Sequence, residues 1–92
     1  MPHYRDGTAA EVGDLVKGKP YNTPREIVGE VFSITEGTES CNCEVAFVER
    51  VHPEDPSFRG EVLKHTKNAA GDNVFLTVKT DYGETKAFEK LL

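Results

Sequence analysis

The stretch Cys41-Asn42-Cys43-Glu44-Val45-Ala46-Phe47-Val48-Glu49-Arg50-Val51 decides how the chain is read, because its apolar residues alternate instead of recurring at helical spacing. Cys41, Cys43, Val45 and Phe47 fall on one side of an extended backbone, and Asn42, Glu44, Ala46, Val48 and Arg50 fall on the other. A period of two with one apolar side predicts a strand laid on a core. The chain breaks at both ends of this run. Glu36-Gly37-Thr38-Glu39-Ser40 precedes it as a turn, and His52-Pro53-Glu54-Asp55-Pro56 follows it, with two prolines that remove donors and bias their predecessors away from helix.

Outward from this strand the same reading continues. Glu26 to Thr35 is rich in Ile, Val and Phe, with Gly29 marking a bend or bulge, and Glu11 to Lys17 supplies the first strand. Between them Gly18 to Arg25 carries Pro20 and Pro24 and reads as a loop. On the other side, Val74 to Thr80 places Val74, Leu76 and Val78 on one face. Asp81-Tyr82-Gly83 then reads as a hairpin turn in which Gly83 supplies the left-handed conformation, so Glu84 to Leu91 is expected to return antiparallel to Val74–Thr80. Ser57 to Lys67 admits two readings. Ser57 caps a short helix with Phe58, Val62 and His65 on one side, at a cost of about 1 kcal/mol for Gly60, or Val62 to Thr66 is a strand. The expected fold is all-β: one domain over residues 1–92, a small closed barrel of five or six antiparallel strands with at most one short helix near 57–67.

Val12-Gly13-Asp14-Leu15-Val16, followed by Gly29-Glu30-Val31-Phe32-Ser33-Ile34, traces the pattern G-D-x-V and then G-x-V-x-x-I. This resembles the opening of an SH3-like barrel of the KOW or Tudor-like kind. The resemblance rests on Gly13, Asp14, Val16, Gly29, Val31 and Ile34 and spans about residues 12–50. It implies a first strand entered through the Gly-Asp turn, an outward loop, and a second strand with glycine near the tightest curvature. It also implies a binding role, to RNA or within transcription and translation machinery, through the loop between the first two strands. Here that loop carries Lys19, Tyr21 and Arg25, with Lys17 just before it. Lys17, Lys19, Tyr21 and Arg25 are therefore the candidate binding residues, first for a protein partner and alternatively for nucleic acid, whose phosphates and bases suit cations and an aromatic ring.

Charge weighs between these two. Sixteen Asp and Glu against eleven Lys and Arg give −5, which argues against indiscriminate polyanion binding. Phe58, Arg59, Lys64, His65 and Lys67 form a second basic and aromatic cluster in the sequence, and Tyr82 is a further candidate surface aromatic. Cys41 and Cys43, with His52 and His65, can be written as a thiolate metal or redox set. A single intervening residue aims two strand sulfurs poorly at one metal, so burial as small hydrophobes is the stronger expectation.

His3, His52 and His65 lie in no nucleophile motif, and no phosphate-cradling glycine pattern occurs, so no enzyme and no cofactor are expected. No run approaches the roughly 20 apolar residues of a membrane span. The opening residues lack the apolar core of a secretory signal, and with two reduced thiols this points to the cytoplasm.

Overall fold

The computed structural model describes residues 2–91. Its strands are β1 (Leu15–Gly18), β2 (Ile27–Ile34), β3 (Cys43–Val51), β4 (Lys64–Lys67), β5 (Asn73–Gly83) and β6 (Phe88–Lys90), with a 3-10 turn at Thr85–Ala87 before the last. All six belong to one antiparallel sheet in the order β4-β5-β3-β2-β1-β6. The chain is all-β, as its alternation predicts. The expected closed barrel is corrected to an open sheet. Closure needs the two end strands to share a ladder, and β4 and β6, at four and three residues, are the short edges by which an open sheet limits its exposed backbone.

The chain gathers into two compact units, one of Met1–Phe47 with Thr80–Leu92 and one of Val48–Lys79. The first holds the core. Val16, Val31, Val45 and Phe88 are completely buried, with Ile27, Cys43 and Phe47 beside them. Val31 stands opposite Val45 and Gly29 opposite Phe47 across the β2–β3 ladder, so the inward sides of the two strands meet in register. Gly29 is where backbones come close: a Cβ there would lie 2.7 Å from the Ala46 carbonyl oxygen. The ladder shifts between Val31 and Ser33, a bulge that bends β2 just past the core.

β1 begins later than the expected Glu11. Gly13 takes a left-handed φ of +98°, which turns the chain over Glu11 to Asp14 and prevents a strand there. That turn is already tied to β2, since the Gly13 N–H donates to the Val31 carbonyl at 2.7 Å and the Val31 N–H to the Asp14 carbonyl at 3.0 Å.

Three further expectations change. Asp81–Gly83 is strand, not turn, and β6 pairs with β1 through Val16–Lys90, Lys17–Glu89 and Gly18–Phe88 instead of returning along β5. The cause lies in distant partners: Asp81, which accepts from Asn22 and Thr23, and Gly83 are buried in the extended strand, and the Thr85–Ala87 turn, hydrogen-bonded to Asn42, then redirects the chain. Cys41 is exposed with a φ of 49° and precedes β3, so it does not share the inward side of Cys43, Val45 and Phe47. The helix reading of 57–67 is replaced by β4 after an irregular loop, in keeping with the cost of Gly60, whose φ is +129°.

In Val48–Lys79, β4 pairs with β5 from Lys64 opposite Leu76 to Lys67 opposite Asn73. The hairpin closes over Asn68 to Asp72, where the Asn68 side-chain oxygen accepts from the Ala70 and Asp72 N–H groups at 3.0 Å each. Val74 is buried, but Leu76 is half-buried and Val78 is exposed, so the expected apolar face of β5 is realised only at its start.

Candidate functional site

The loop between β1 and β2 is held by one carboxylate. Asp81, buried on β5, accepts from the Asn22 N–H at 3.0 Å, the Asn22 side-chain amide at 3.1 Å and the Thr23 hydroxyl at 2.8 Å. Its second oxygen also takes the Tyr82 N–H at 2.8 Å. Burial works against the Asp81 charge, but the bonds from Thr23 and Asn22 and from the backbone outweigh it and keep the carboxyl below the usual carboxylate range. Each donor would otherwise need water, so the bonds fix a segment whose prolines exclude it from a sheet interior. Pro20 is buried and serves as the apolar foot of the same loop.

This clasp sets two aromatic residues side by side along the backbone. The Tyr21 N–H donates to the Tyr82 carbonyl at 2.7 Å, while the two side chains remain 72% and 52% exposed. Large aromatic surfaces with polar tips, on backbone that is already ordered, are what partner-binding sites are commonly built from.

The cations of the loop are arranged less favourably for phosphate. Lys17, Lys19 and Arg25 are all exposed, but the Lys17 ammonium lies 3.8 Å from the Glu26 carboxylate. The second cluster is not brought together at all. Lys64 and Thr66 alternate with His65 and Lys67 along β4, so the two lysines project to opposite sides. His65 stacks on Phe75 with ring centroids 4.6 Å apart and its Nε2 is 3.0 Å from the Asn73 side-chain oxygen. Arg59 turns back onto its own loop, donating to the Pro56 and Phe58 carbonyls at 2.7 and 2.9 Å.

The cysteines separate. The Cys43 thiol points inward and donates to the Gly83 carbonyl at 3.2 Å, and burial, with lesser contributions from Cys41 and Glu44, pushes its pKa up to about 11. Such a thiol is a poor nucleophile and a poor metal ligand at neutral pH. Cys41 is exposed, and among the described residues no group of three or more His, Cys, Asp or Glu is placed to hold a metal ion. His3, His52 and His65 are all exposed. Among the described residues no helix is long and apolar enough to cross a membrane.

Several polar residues make bonds that their local sequence does not reveal. Asn42 and Thr85 are buried together, the Asn42 amide donating to the Thr85 hydroxyl at 3.1 Å and the Thr85 N–H returning to the Asn42 oxygen at 2.9 Å. Asp14 accepts from the Tyr4 hydroxyl at 2.7 Å and the Glu11 N–H at 3.0 Å and stands 3.6 Å from the Lys90 ammonium. Burial again opposes that charge, and these partners together hold the Asp14 carboxyl low, while burial and Asp14 push the Tyr4 phenol up. The one signal for Asp81 is the run of donors Asn22 and Thr23 between prolines, which require an acceptor from elsewhere in the chain.

No protein-family model matches the chain, and no curated protein sequence and no solved structure matches it.

Proposed function

We propose that the protein is a non-enzymatic, SH3-like interaction module that binds a protein partner through the Tyr21 and Tyr82 surface. The observation that carries this reading is the Asp81 clasp, which orders the β1–β2 loop so that both tyrosines are presented without a folding cost on binding. The likeness to SH3-like domains draws support from the Gly13-Asp14 turn into β1, the projecting loop and the close approach at Gly29. A protein partner suits the surface better than nucleic acid because Lys17 already faces Glu26 and the chain carries −5. The exposed Cys41 thiol fits a reducing compartment, and we place the protein in the cytoplasm.

The test is selection of a random peptide library against the immobilised protein, with affinities of the enriched peptides measured on Tyr21→Ala and Tyr82→Ala. The reading expects a loss of about tenfold or more in each variant and little dependence on salt. Binding of single-stranded RNA or duplex DNA at low salt, falling steeply as salt rises, together with no enriched peptide, would replace it with the nucleic-acid reading.

A further inference from the structure

A concavity of about 650 Å3 opens wholly within Val48–Lys79, a segment that contains neither tyrosine, and it is independent of the role given to them. One wall is strand, contributed by Glu49 to Val51 of β3, with His52 just beyond it, and by Thr77 to Lys79 of β5, and the other is the loop ending at Leu63. That loop is organised by its own side chains. The Asp55 carboxylate accepts from the Ser57 N–H at 2.9 Å and its hydroxyl at 2.8 Å, Arg59 donates to two carbonyls, and the Thr77 hydroxyl ties the Glu61 carbonyl to the strand wall at 2.6 Å. A volume of this order is that of a small-molecule site, for which roughly 300–1,000 Å3 is usual.

The lining combines an apolar part, Val51, Phe58, Leu63 and Val78, with charges of both signs. The two signs are not equally engaged. The Glu49 carboxylate faces the Lys79 ammonium at 3.0 Å and Asp55 is taken up by Ser57, leaving Glu61 as the one lining carboxylate with no side-chain partner among the described residues. On the other side, the Arg50 guanidinium makes no hydrogen bond or ion pair among the described residues. Arg59 commits only one terminal nitrogen to its carbonyls, so its remaining N–H donors are available. His52 lies 4.0 Å from Glu54. The setting does not oppose a negative guest: Val48–Lys79 carries five acidic and five basic residues, so the −5 of the chain resides in the other unit.

We propose that this concavity binds a small amphipathic organic anion, with its charged head on Arg50 and Arg59 and its apolar body against Val51, Leu63 and Val78. Guanidinium groups suit this role because their N–H donors fork onto a planar carboxylate or a phosphate.

Sodium octanoate is the probe, titrated into isotopically labelled full-length protein while backbone amide shifts are followed, with octanol and octylammonium as neutral and cationic counterparts. The expected result is saturable octanoate binding, with shifts centred on residues 49–63 and 77–79 and with weaker binding of both counterparts. Arg50→Gln raises the octanoate Kd about tenfold, the weight of one charge-assisted hydrogen bond, and Arg59→Gln does so as well. Arg50 takes no part in the loop's internal bonds, so its variant decides even if Arg59→Gln loosens the loop. No saturable octanoate binding, equal binding of octylammonium, an unchanged Kd in Arg50→Gln, or shifts centred elsewhere would each overturn the proposal.

Discussion

β3 and β5 each begin in one compact unit and end in the other, and their character changes along their length. Through Phe47, β3 alternates cleanly, with Cys43, Val45 and Phe47 buried, but immediately beyond it Val48 is 59% exposed. β5 shows the reverse: apart from Val74 its residues through Lys79 are exposed or half-buried, and then Asp81 and Gly83 are buried. Among the described residues Val74 is the one buried residue of Val48–Lys79, whereas Met1–Phe47 with Thr80–Leu92 holds the hydrophobic cluster and all the net charge. One unit is thus packed and the other open. Strand formation needs only a neighbouring strand. Burial needs apolar surface on the facing side, and β-branched residues alone do not supply it.

The contrast can be broken most directly at the core. Phe88→Ala removes a completely buried ring and is expected to cost about 3–5 kcal/mol in denaturant titration, whereas Leu63→Ala, at a 62% exposed position, should change stability by less than about 0.5 kcal/mol. A comparable loss at Leu63 would show that the open unit carries a core after all. Next in size is Asp81→Ala, which leaves the Asn22 and Thr23 donors unanswered. It should cost about 1–3 kcal/mol and strip the Asn22 amide of protection against hydrogen exchange, while amides of the β4–β5 hairpin keep theirs.

Acid should act on the packed unit as well. Asp14 and Asp81 have folded-state pKa values below their ordinary 3.8, so the stability they contribute is complete above that value and is lost as pH falls through the lower, folded one. Denaturation midpoints measured between about pH 5 and pH 2 should therefore decline, and Asp81→Asn should flatten the decline. The smallest effect belongs to the open unit: Lys79→Ala breaks a 3.0 Å pair with Glu49 in which the lysine is mostly exposed, and should cost no more than about 1 kcal/mol. A larger loss would mean that this ion pair holds the two strands together.

What the sequence discloses follows the same division. Alternation at Cys43, Val45 and Phe47 and at Ile27 to Val31 identifies the inward sides because those residues do meet a second apolar surface. Gly13 is legible as a turn because its constraint is local, whereas Gly29, read as a bend or bulge, is a close approach to Ala46 across the ladder, and the bulge falls between Val31 and Ser33. Asp81-Tyr82-Gly83 misleads because its composition is that of a turn, while the donors that make Asp81 a strand residue lie 58 and 59 positions away. Cys41 fits the pattern of Cys43 by spacing alone, and the backbone turns one residue before that spacing applies. Of the candidate binding residues, Tyr21 gains a second aromatic from β5, Lys17 meets Glu26, and the cluster from Phe58 to Lys67 is divided by the pleat of β4.

The distance between Asn22 and Asp81, 59 residues, has a consequence during synthesis. The chain emerges from its N-terminus, so the loop bearing Tyr21 is made well before the carboxylate that fixes it. Until then the loop has no ordered shape for a partner to recognise. Fragments that stop before Asp81 would be silent in binding, and a partner that reads the clasped loop would also be reading that the chain has been made through β5.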